Sequence, residues 1–175
     1  MALANASTLL LDHILSSSVP ISDYITTLGV TLDSNLTLNK HVSSVYKSAY
    51  YSINALRHAR PVFTCDMARA VAASLTQTRL DVANSVLIGT TGSNINKLQR
   101  VQNCLARVVL QNNNNSATSL LSELHWIPVN TRINFKTATL AYLSLTFGQP
   151  TYLSAVLTPH QPQQFWTKKF FLLCP

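Results

Sequence analysis

The sequence predicts a mainly α fold: a short N-terminal β-hairpin, a helical bundle of about five helices, and a disordered C-terminal tail. Three observations carry that expectation. Strict alternation is confined to residues 24–32. Apolar residues recur at helical spacing within 38–58, 64–79, 93–110 and 131–147. Beyond Pro159 neither period is found, and a segment with no periodic apolar face has nothing to bury.

Ser16-Ser17-Ser18 and Pro20 mark a turn. Tyr24, Thr26, Leu28, Val30 and Leu32 then share one face, and Ile25, Thr27, Gly29 and Thr31 the other, which predicts one strand over 24–32 with residues 14–21 as its hairpin partner. Asp33-Ser34-Asn35 ends the strand, because these short polar side chains bond their own backbone. From 38 to 58, Val42, Val45, Ala49, Ile53 and Leu56 form a stripe about 80° wide at 100° per residue. Pro61 stops that helix. Thr64 is the expected N-cap of the next, with Ala68, Val71, Ala72 and Leu75 as its buried stripe. Arg79 falls on the same stripe, so either the helix has ended or Arg79 is paired, with Asp81 as the candidate.

Ser93 or Asn94 is expected to cap a third helix reaching Leu110, buried through Ile95, Leu98, Val101, Leu105 and Val108. Lys97, Arg100 and Arg107 gather within about 80° on its other side. Asn112 to Asn115 read as a loop or disorder, followed by a short helix over 118–124. Trp126 is expected as a core anchor rather than a base-stacking ring. Asn130 is the expected cap of a helix over 131–147 that is apolar nearly all round, hence the buried centre of its subdomain. Gly148 and Pro150 end it. The resulting division is a weakly structured start and hairpin (1–36), a basic helical bundle (37–111), an Asn-rich linker (112–117), a helical subdomain (118–157) and the tail (158–175).

Charge narrows the function. The chain of 175 residues carries 13 Lys and Arg against 6 Asp and Glu, for a net charge of +7. All of that excess lies within residues 40–107, which hold nine basic residues and only Asp66 and Asp81. Such asymmetry points to a polyanionic partner, with nucleic acid the commonest. The acids are scattered singly, so a carboxylate cluster holding Mg²⁺ is not expected. No P-loop, dinucleotide fingerprint or nucleophile elbow occurs. Cys65, Cys104 and Cys174 lack metal or disulfide spacing and read as two buried thiols and one in the tail. No apolar run approaches the roughly 18 residues of a membrane span, and no signal peptide is evident, so an intracellular location, cytoplasmic or nuclear, is expected.

Eight phrases in order carry a resemblance: LGVTLD at 28–33, KHVSSVYKSAYY at 40–51, ALRHARP at 55–61, RLDVAN at 79–84, KLQRVQNCLARVV at 97–109, LHWIPV at 124–129, RINFK at 132–136 and GQPTYL at 148–153. Over roughly residues 22–157 the chain resembles the segment after the palm in reverse transcriptases of jockey-type non-LTR retrotransposons. The resemblance implies RNA-directed DNA polymerase ancestry, with the phrase at 28–33 ending the palm and the helices after it forming a thumb along the template–primer duplex. It makes an RNA–DNA or other nucleic-acid duplex the expected partner, bound weakly and without sequence preference. Lys40, Lys47, Lys97, Arg100 and Arg107 are the expected phosphate contacts.

Departures are visible. The family's paired aspartates and earlier palm carboxylate, which hold its Mg²⁺, precede this segment, so the chain is expected to be a truncated copy, inactive alone and without a cofactor of its own. Asn112 to Asn115 replace a usually basic loop, Val82 stands where the family has Tyr, and Phe165 to Pro175 resemble translation past a frameshift. The alternative from another class is a non-catalytic helical module binding protein, or itself, through exposed apolar surface.

Overall fold

The computed structural model describes residues 22–158. The proposed hairpin partner at 14–21, Cys174 and the tail beyond Thr158 lie outside them. Within them the chain is mainly helical behind a two-stranded hairpin. The single strand expected over 24–32 is two: β1 (Tyr24–Thr27) and β2 (Val30–Asp33), antiparallel, with Tyr24 opposite Asp33 and Thr27 opposite Val30. Leu28 and Gly29 both take positive φ, 48° and 80°, the requirement of a tight two-residue hairpin turn. Alternation ran through the turn in the sequence because a two-residue connection preserves the period.

Asp33 then starts the helical body. Its carboxylate accepts from the backbone N–H and hydroxyl of Thr37 and from the N–H of Leu38, which satisfies donors at the mouth of α1 (Asn39–Ala59). The Thr37 hydroxyl bond foremost holds the Asp33 carboxyl below the usual carboxylate range. A 3₁₀ turn, Arg60–Val62, follows α1 with Pro61 in its first turn. The Thr64 hydroxyl caps α2 (Cys65–Ala72) by accepting from Met67 N–H.

After α2 the chain winds through a π turn, Ala73–Gln77, before α3 (Thr78–Asp81). The extra residue in that turn rotates the stripe. Ala68, Ala72, Thr76 and Leu80 are buried at a spacing of four, while Leu75 is turned out to solvent. This corrects the expected stripe and resolves its conflict: Arg79 is exposed and unpaired with Asp81, whose carboxylate instead meets the Arg132 guanidinium.

A 3₁₀ turn, Asn84–Leu87, leads to α4 (Gly92–Leu110), capped by the Thr91 hydroxyl rather than by Ser93 or Asn94. Gln111 takes the left-handed conformation at its end, and Asn112 Oδ1 accepts from the N–H groups of Asn114 and Asn115. The Asn run is therefore a loop, the first of the two expected alternatives, closed by an Asx-type turn into α5 (Ala117–Glu123). Pro128, not Asn130, occupies the cap position of α6 (Val129–Phe147). Gly148, at φ 64°, ends that helix as expected, and α7 (Thr151–Ser154) adds one turn.

One core runs through these elements. Val30, Val42, Ile53, Leu56, Leu98, Val101, Leu105, Val109, Leu120 and Ile133 belong to a single buried cluster, so the segment after the Asn turn shares the core of the bundle before it. Trp126 packs half-buried against the cluster, in agreement with the anchor reading, and its backbone N–H bonds Leu121 O. Cys65 is exposed and Cys104 half-buried, which corrects the expectation of two buried thiols.

The largest correction concerns α6. Only Val129, Ile133 and Ser144 are buried; Phe135, Tyr142 and Phe147 are more than 60% exposed, and Leu140, Leu143 and Leu145 are also open to solvent. The helix packs by its first turns and leaves the rest of its apolar circumference uncovered by other described residues. Burial depends on what the other elements reach: α4 and the Asn84–Leu87 turn pack on α6, and Asp81 meets Arg132 and Lys136 in its first turns.

These placements set stability. Leu105→Ala is expected to cost about 2–5 kcal/mol and Phe135→Ala less than about 0.5 kcal/mol, read from urea unfolding midpoints.

Candidate nucleic-acid interface

The arrangement of α1 against α4 decides where the basic residues go. At one end Asn94, buried in α4, donates to Asn39 Oδ1 at 2.9 Å and to Thr37 O at 3.3 Å, both at the start of α1. At the other end Arg60, just past α1, donates through Nε to Val109 O of α4 at 2.8 Å and through Nη1 to Phe63 O at 2.7 Å. Start therefore meets start and end meets end, so the two helices run parallel. Their side chains flank one lengthwise groove.

On α1, Tyr46, Tyr50 and Arg57 fall within about 40° of one another on the flank facing α4. On α4, Lys97, Arg100, Cys104 and Arg107 fall within about 80° on the flank facing α1. Contacts across the groove bear this out. Arg57 Nη2 lies 3.7 Å from Cys104 Sγ. Within α1 the Tyr46 and Tyr50 rings lie against each other, tilted by 45° with 4.6 Å between centroids. Burial, and next the neighbouring Tyr46, push the Tyr50 hydroxyl up to about 12, while Arg100 pulls it the other way.

Of the five expected phosphate contacts, Lys97, Arg100 and Arg107 stand together along this groove, Lys97 and Arg107 half-buried at its edge and Arg100 exposed. Lys47 is exposed on the outer side of α1, about 60° from Tyr50. Lys40 is drawn apart: its ammonium sits 3.4 Å above the Tyr24 ring of the hairpin, a cation–π contact. Sequence reasoning missed Arg57 and Arg60. Arg57 shares the stripe of Tyr46 and Tyr50, at spacings of 4 and 7, and that signal was there to read. Arg60 had none, because its bond to Val109 O exists only once α4 has docked.

Carboxylates stay away. Among the described residues the ion pairs are Arg69 with Asp66 and Arg132 with Asp81, both outside the groove. Asp33 is engaged by Thr37 and Leu38. The groove's cations therefore have no carboxylate partner among the described residues.

Among the described residues there is no group of three or more His, Cys, Asp and Glu placed to hold a metal ion. No described helix is long and apolar enough to cross a membrane. Comparison with protein-family models, curated proteins and solved structures finds no match.

The Tyr50 environment has a measurable consequence. Because its folded value lies above the ordinary 10, the phenol favours the folded state below pH 10, and that contribution fades as the pH rises toward 12. Absorbance titration of the tyrosines should show one late component near pH 12 that Tyr50→Phe removes.

Proposed function

We propose that the described helical body is a thumb-like, non-catalytic part of a non-LTR retrotransposon reverse transcriptase that grips the sugar–phosphate backbone of a nucleic-acid duplex. The observation that carries this reading is the parallel pairing of α1 and α4, which collects Arg57, Lys97, Arg100 and Arg107 on one groove without a facing carboxylate. The ordered set of sequence phrases supports the same ancestry. A backbone grip needs positive charge along a line and little else, because phosphates carry no sequence information. Hydrogen-bond donors aimed at base edges are not required, and the aromatic pair Tyr46–Tyr50 can pack against a sugar or a terminal base without reading it.

Each neutralised phosphate contributes a slope of about −0.9 in log affinity against log salt. Titration of a labelled RNA–DNA hybrid at two salt concentrations is expected to give binding that weakens steeply with salt and is indifferent to sequence. Arg100→Glu should weaken it for every sequence alike. Absence of binding at low salt, or binding unaffected by salt, refutes the grip.

A second reading, a helical module that associates with itself, is favoured by the exposed Phe135, Tyr142, Leu143 and Phe147 of α6. Sedimentation should then show a discrete dimer that Phe135→Ser with Leu143→Ser dissociates. A monomer at every concentration removes this reading.

A further inference from the structure

The groove ends in a distinct cleft of about 530 Å³, where the C-terminal ends of α1 and α4 come together. Arg57, Arg60, Arg107, Cys104, Gln111 and Asn113 line it. Three guanidinium groups share this concave space, and no carboxylate does. Like charges gathered this closely repel, so something must offset them. The two helix C-termini supply about half a negative charge each. Arg60 already answers one of them through its bond to Val109 O, and its other recorded bond goes to Phe63 O. Against three positive charges, about one negative charge from the dipoles leaves an excess near +2.

The three side chains are also differently held. Arg60 is buried, only 9% exposed, and fixed through Nε and Nη1. Arg57 is steadied by longer contacts, 3.4 Å to Asn54 Oδ1 and 3.7 Å to Cys104 Sγ, which a stronger acceptor would displace. Arg107 has no described carboxylate partner. One fixed and two adjustable guanidinium groups around a cleft make a receptor for a compact, multiply charged oxyanion. Guanidinium forks match phosphate oxygens two at a time. The amide side chains of Gln111 and Asn113 stand at the same rim and can serve the remaining oxygens.

We infer that this cleft, at the end of the groove, is a discrete phosphate site for a doubly charged terminal phosphate or diphosphate. The same chemistry is carried by the phosphorylated end of a nucleic-acid strand and by a free polyphosphate. The site shares Arg57 and Arg107 with the groove, adds Arg60, and needs neither Lys97 nor Arg100.

Calorimetric titration with inorganic pyrophosphate at low salt tests it. Saturable binding at one site per chain is expected, weakened about tenfold by Arg107→Gln and by Arg57→Gln, and unchanged by Lys47→Gln. Thermal unfolding of each variant checks that the fold is intact, and Arg57→Lys should recover part of the affinity if Arg57→Gln unfolds. Failure to saturate, or equal binding by Arg107→Gln and the unsubstituted chain, overturns the site. A second arm compares one duplex with and without 5′-phosphates. Tighter binding of the phosphorylated duplex identifies a strand end as the source, and equal binding identifies a free polyphosphate. Lys97→Gln separates the two proposals: weaker duplex binding with unchanged pyrophosphate binding is expected, and unchanged duplex binding would count against the groove while leaving the cleft.

Discussion

The parallel packing of α1 and α4, pinned by Asn94 at one end and by Arg60 at the other, is the constraint from which the rest of the molecule follows. Two parallel helices that follow one another along the chain need a return path as long as the first helix. At 1.5 Å per residue, α1 is about 30 Å long. Residues 60–91 supply that return through α2, the π turn and α3. The π turn has a structural reason here: it keeps one face of the returning helix on the core by lengthening its period to four, at the expense of burying Thr76 and Gln77. Gln77 is half-answered there: its Oε1 accepts from the same Arg132 that meets Asp81, while its buried Nε2 has no partner among the described residues.

Parallel packing also sorts charge. With the axes antiparallel, the cations late in α1 would face the start of α4, and the two clusters would lie at opposite ends. Running together, the helices bring Arg57 and Arg60 to Arg107 and their own C-terminal dipoles to the same place. Cations at helix C-termini are favoured for purely structural reasons, which accounts for one or two of them. It does not account for Lys97 and Arg100, which lie earlier on α4. Charge along the whole flank is what a backbone-following surface requires and what end-capping alone does not produce.

Much of this was legible in the sequence. The caps at Thr64 and Gly148, the stops at Pro61 and after Leu110, and the clustering of Lys97, Arg100 and Arg107 follow from local rules that act within a few residues. What was not legible depended on neighbours. The π turn left no local mark, so Leu75 was assigned inward and Arg79 fell in conflict with the expected stripe. The hairpin turn at Leu28-Gly29 preserved the alternation and passed for one long strand. Helix α6 was assigned to the centre because its composition is apolar, yet composition says what can be buried and not what arrives to bury it. Arg60, the residue that ties the two main helices, looks like any other surface arginine until the fold exists.

Residue-resolved amide spectra of the ¹⁵N-labelled protein, titrated with an RNA–DNA hybrid at low salt, test the central claim most directly. The account predicts shifts confined to the facing flanks of α1 and α4, at positions 46–57 and 97–107, fading together as salt is raised. Shifts that gather instead on α6 and the hairpin, or spread evenly over the surface, would contradict it.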